Sequence, residues 1–108
     1  MKTELIENVV DEESFVSLLF SNDLTKQRLY WSLKEFIFRQ NVYSGIKGYC
    51  MKTKLPPLQF ISFIDVCIQK KIITRENNQF RFTDAFLEKL KNISPEWANY
   101  YNKIHVFV

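Results

Sequence analysis

Between Leu24 and Asn41 the apolar positions Leu29, Leu33, Phe36 and Ile37 recur at the i, i+4, i+7, i+8 spacing of one helical face. Asn22 or Asp23 stands where such a helix needs its N-cap. Lys26, Arg28, Lys34 and Glu35 fall mostly on the other faces. Tyr30, Trp31 and Phe38 widen the apolar stripe. Packing against a preceding helix is the simplest account of that width, and a dimer interface is the sharper alternative. The preceding helix is expected within residues 4–21. Asp11 can cap it, Glu12 and Glu13 suit its dipole, and Val10 with Phe15 would form a hydrophobic staple. Phe15, Leu18, Leu19 and Phe20 then make its apolar face.

The helical period breaks at Asn41-Val42-Tyr43-Ser44, where Ser44 can cap a short helix through Met51. Leu55-Pro56-Pro57 ends that helix, because the residue before a proline is pushed out of helical geometry. Pro57 suits the first turn of the next helix, where a missing N–H costs nothing. That helix, Leu58 to Lys71, puts Ile61, Ile64, Cys67 or Ile68, and Ile72 at core spacing. Its other face then presents Gln59, Phe60, Ser62, Phe63 and Val66, with Asp65 nearby. A shift of one position in register would bury one of the two phenylalanines.

Two strand-like strings follow, Ile72 to Arg75 and Gln79 to Phe82, and in the second Phe80 and Phe82 alternate with Gln79 and Arg81. Asn77 and Asn78 tolerate the positive φ of a tight turn. Thr83 caps a helix over 84–91. Ser94-Pro95-Glu96 starts a last helix that ends in His105-Val106-Phe107-Val108. The expected architecture is mainly α with a small β-hairpin. At 108 residues it is one domain: an acidic helical extension over 1–22, a core over 24–91, and a C-terminal helix and tail over 94–108.

Composition narrows the class. An apolar share of 46% and an aromatic share of 16% exceed what a disordered chain carries. No stretch has the run of about 18–20 uncharged apolar residues that crosses a membrane, and the first residues do not read as a signal peptide. Cys50 and Cys67 give no disulfide framework, so a reducing cytoplasmic setting is expected, with each cysteine a small buried hydrophobe. The net charge of +3 hides an asymmetry: residues 1–25 hold six acids against Lys2, whereas Arg39 to Arg81 holds eight bases against Asp65 and Glu76. A basic middle beside an acidic start suits an anionic partner, or is an ordinary solvated lysine surface.

Chemistry-bearing clusters are sparse. His105 is the one histidine and has no carboxylate cluster around it in sequence. Cys50, Cys67 and His105 lack the close ligand pairs of a zinc site, and Gly45 and Gly48 make no phosphate-cradling loop. The chain is expected to be a binding protein, with no cofactor, rather than an enzyme.

Residues 44–90 resemble winged helix-turn-helix regulators of the broad MarR, PadR and ArsR kind. The strings that carry the resemblance are PPLQFISFIDVCIQKKII, TRENNQ and FRFTDAFLEKL. Such families often place Gly before the hydrophobic pair, where this chain has Lys71. The resemblance implies that Leu58–Gln69 is a recognition helix, that Thr74–Phe82 is a wing, and that Val42-Tyr43 is the brief strand such folds often carry. It further implies duplex DNA as partner and a homodimer formed through helices 84–91 and 95–104. On that reading Lys47, Lys52, Lys54, Gln59, Ser62, Arg75 and Arg81 contact DNA. The alternative is a protein-interaction module, an adaptor or inhibitor of a larger complex, using Phe60, Phe63, Trp97, Tyr100 and Tyr101 as an exposed aromatic face.

Overall fold

Asp11 accepts a hydrogen bond from the Ser14 amide at 2.8 Å and opens helix α1, Glu12–Leu19, as its sequence anticipates. That bond holds the Asp11 carboxyl below its ordinary pKa. The computed structural model describes residues 11–105, so the expected turn from Leu5 to Val10, the Val10 half of the staple and the tail after His105 lie outside it. Asp23, rather than Asn22, caps α2, Leu24–Phe38, through the Lys26 amide. A 3-10 turn, Gln40–Val42, leads to α3, Gly45–Thr53, and the Pro56-Pro57 corner to α4, Pro57–Gln69. Strands β1, Ile73–Glu76, and β2, Gln79–Phe82, form an antiparallel hairpin before α5, Asp84–Leu90, and α6, Pro95–His105. Among the described residues the fold is six helices and one hairpin, mainly α as expected. No described helix is long and apolar enough to cross a membrane.

Two local expectations are corrected. The brief strand at Val42-Tyr43 is absent, and the 3-10 turn takes its place. Ser44 precedes α3 but makes no capping hydrogen bond; Gly45, at φ +75°, sets the entry instead. The hairpin turn is as expected. Asn77 and Asn78 both have positive φ, 53° and 65°, which the two-residue type I′ loop requires and asparagine tolerates. Register follows from it: Arg75 faces Phe80 and Ile73 faces Phe82.

The larger corrections concern helical register. In α4 the buried residues are Phe60, Phe63, Ile64 and Cys67, so the expected outer aromatic face is the core face. Ile61 and Ile68, expected inside, are exposed at 41% and 38%. Both registers satisfy helical spacing, and bulk decides between them: two phenylalanines bury more apolar surface than two isoleucines. Phe60 meets Phe36 edge-on at 6.0 Å and Tyr49 at 5.5 Å, while Phe63 meets Phe20 at 5.5 Å. In α1 Phe15 and Leu19 pack on the core as expected, with Phe20 buried just beyond the helix; Val16 joins them, and of the expected face Leu18 alone is exposed.

Trp97 is likewise no interaction residue: it is fully buried, with Phe82 at 4.9 Å, Phe38 at 5.0 Å and Phe86 at 6.1 Å. Tyr100 is half-buried, stacks on Phe38 at 4.8 Å and accepts the Phe82 amide on its hydroxyl at 3.3 Å. Tyr101 donates to Glu88 at 3.1 Å and lies under the Lys91 ammonium. This cluster packs within one chain. Lys34, expected on an outer face, is buried too. Its ammonium meets Glu12 at 2.7 Å and Glu96 at 3.0 Å and sits near the rings of Trp31, Phe38 and Trp97. Glu12 also accepts from Tyr30 Oη at 2.6 Å, and burial with that neighbouring carboxylate pushes the Tyr30 pKa well up. One ammonium thus ties α1, α2 and α6.

Helix α4 ends in a Schellman motif: the Lys71 amide donates to Ile68 and the Ile72 amide to Cys67. Lys71 holds φ 63°, a left-handed conformation that glycine adopts with the least strain. Lys71→Gly should therefore stabilise the fold by about 0.5–1 kcal/mol, relieving left-handed strain at some entropic cost. Chemical denaturation checks this, and an unchanged or lower midpoint contradicts it.

Candidate functional site

Three elements converge on the basic middle of the chain. Helix α3 carries Lys47 and Lys52 on its exposed side, and Lys54 closes it in a left-handed conformation, φ 62°. The Leu55 amide returns to the Cys50 carbonyl at 3.1 Å, which turns the chain sharply into Pro56 and Pro57. Pro56 at the cap position of α4 offers no side-chain acceptor, so the first amides of that helix have no side-chain partner. Lys54 is exposed at the start of this corner, four residues before Leu58.

The exposed surface of α4 carries Leu58, Ile61, Ser62, Asp65, Ile68 and Gln69. Gln59 is exposed as well but lies to one side, lining a cleft with Thr25, Arg28 and Leu29 of α2. Ser62 and Gln59 both border a neighbouring apolar cleft that includes Leu29, Phe63 and Val66. Of the expected base-reading pair, Ser62 is central on the exposed surface and Gln59 is at its edge.

The hairpin is fixed by a side chain that the sequence reading overlooked. Gln40 donates from Nε2 to the Phe80 carbonyl at 2.7 Å and accepts the Phe80 amide on Oε1 at 3.2 Å. Its carboxamide mimics one backbone pair of an adjacent strand and satisfies the outer edge of β2 where a third strand would lie. Nothing in the sequence distinguishes Gln40 from any polar residue after a helix. A cleft of about 410 Å³ opens beside it, lined by Gly45, Ile46, Arg75 and Asn78 among others. Arg75 is exposed there, with its guanidinium over the Phe80 ring at 5.4 Å.

Charge partners separate the basic residues. Arg81 is held by Asp84 at 2.8 Å and by Glu76 at 3.7 Å, so its charge is largely answered within the chain. Asp84 also lies 3.3 Å from His105 Nε2. Lys91 pairs with Glu88 at 3.0 Å. Among the described residues, Lys47, Lys52, Lys54 and Arg75 have no carboxylate within ion-pair distance. The cysteines take no part: burial raises the Cys50 thiol and pushes Cys67 up to about 12, which keeps both protonated and unreactive at neutral pH. No group of three or more potential metal ligands occurs among the described residues.

Comparison with protein-family models, curated proteins and solved structures finds no match to this chain.

Gln40→Ala should cost about 1–3 kcal/mol, since it strips two partners from the Phe80 backbone. Faster hydrogen exchange at the Phe80 amide is the specific signature. Unchanged exchange there would show that water or another group serves the edge equally well.

Proposed function

We propose that this protein is a winged-helix DNA-binding module, a small transcriptional regulator that seats duplex DNA against α3, the proline corner, α4 and the hairpin. The run of exposed cations from α3 to the hairpin carries this reading. Among the described residues Lys34, Arg81 and Lys91 have carboxylate partners, whereas Lys47, Lys52, Lys54 and Arg75 are exposed without one. Those four sit on the helix-turn-helix and hairpin, where they would meet phosphates and supply affinity without sequence choice. The uncapped start of α4 favours the same anion. Ser62, with Gln59 at the edge, offers hydrogen bonds to bases. Arg81 supports the hairpin through Asp84 and Glu76 and is a weaker contact candidate than Arg75. Two buried, protonated thiols agree with a reducing cytoplasmic setting.

A second reading, a protein-interaction module or a homodimer, rests on the α1–α2 surface. Leu18 is 69% and Trp31 37% exposed, and both line one shallow cleft there. Two apolar side chains of that size on one surface suit a protein contact. This surface replaces the Phe60, Phe63 and Trp97 face, all of which is core.

Fluorescence anisotropy with a labelled random-sequence duplex tests the first reading. Binding should weaken steeply with salt, and Arg75→Ala should lower affinity uniformly across sequences and flatten the salt slope by about one unit. Arg81→Ala should change the slope less than Arg75→Ala. Absence of binding at low salt would overturn the DNA reading and leave the α1–α2 surface as the candidate.

A further inference from the structure

The exposed side of α4 has an unusual make-up for a helix flanked by cations. Leu58 is 80% exposed, the most exposed large apolar side chain described, and Ile61 follows one turn later. With Ser62 they form an i, i+3, i+4 set on the first two turns. The helix itself offers no Lys or Arg to a phosphate, and Asp65 on the next turn would be repelled by one. Basic charge lies instead at the flank, on Lys52 and Lys54, immediately before the corner that launches α4. A partner of matching chemistry presents anions at its rim and apolar groups with hydrogen-bonding edges at its centre. The major groove of A·T-containing DNA does so, because each thymine projects a C5-methyl group between phosphate walls.

We infer that Leu58 and Ile61 are specificity residues that seat thymine methyl groups in the major groove, with Ser62 beside them on a neighbouring base edge. This rests on the DNA reading above and deepens it by naming what the surface selects. Apolar contact discriminates weakly for each group, so selection comes from several thymines taken together. Asp65 adds to it by excluding a phosphate and by accepting only from an amino group such as that of cytosine or adenine. Affinity then divides between two sets of residues: the cations hold the backbone of any duplex, and the aliphatic pair chooses among duplexes.

The test uses the full chain and one A·T-rich duplex in two forms, identical except that deoxyuridine replaces thymidine in the second. The exchange removes only the methyl groups and keeps the phosphates, hydrogen-bonding edges and base pairing. Affinity should fall by about fourfold for each methyl group seated, the gain expected from burying a group of that size. Leu58→Ala with Ile61→Ala should abolish the difference between the two duplexes and keep the salt dependence. Both side chains are exposed, so the double variant should fold, and an unchanged circular dichroism melt confirms it. Equal binding of the two duplexes by the native chain would overturn the inference and leave the DNA reading standing. Discrimination that persists in the double variant would overturn the assignment to Leu58 and Ile61. Failure to bind either duplex at low salt would overturn both this inference and the DNA reading.

Discussion

Phe36 is the contact on which the geometry of α3, α4 and the hairpin depends. Its ring lies 5.3 Å from Tyr49 of α3, 6.0 Å from Phe60 of α4 and 6.4 Å from Phe80 of β2. One side chain of α2 thus fixes α3, α4 and the hairpin beyond them. Gln40, one turn later, completes the restraint by pairing with the backbone of the same Phe80. On the opposite side Phe38 packs Phe82, Trp97 and Tyr100, which seats the last helix. The breadth of the apolar stripe on α2 follows from this: the helix has neighbours on most of its circumference, and Leu24, Trp31 and most of its polar residues are left to solvent.

Electrostatics divides the molecule into a structural part and an available part. Buried charge is costly unless paired, and Lys34 meets that condition with Glu12, Glu96 and three aromatic rings. Such a pair fixes where α1 and α6 sit, although burying two charges gives little net stability. The acidic start of the chain, which in composition alone resembles a solvated tail, places one carboxylate in this site. Four of the cations without partners among the described residues, Lys47, Lys52, Lys54 and Arg75, lie around the proline corner and beside the hairpin. The net charge of +3 conceals that separation.

Most of the architecture was legible in the sequence because its boundaries rest on local chemistry. Asp11, Asp23 and Thr83 cap helices through their own side chains, Pro56-Pro57 breaks one, and Asn77-Asn78 turns the hairpin. Which face of a helix is buried depends on partners distant in sequence, and there the reading failed. Periodicity alone could not separate Phe60 and Phe63 from Ile61 and Ile68 as companions of the buried Ile64 and Cys67, since both sets recur at helical spacing. The choice was made by Phe20, Phe36 and Tyr49, whose positions no local rule supplies. Lys34 had a signal that went unused: it stands four residues after Tyr30 and four before Phe38, on the aromatic side of its helix. The candidate site was legible in its cations and not in its centre, because Leu58 and Ile61 became surface residues only once the register was known.

Amide chemical-shift mapping of the isotope-labelled full chain, titrated with a random-sequence duplex at low salt, tests the central claim most directly. The account predicts shifts concentrated from Lys47 to Ser62 and around Arg75 to Asn78, with α1 and the outer face of α2 silent. Shifts confined to Leu18 and Trp31, or none at all, would contradict it.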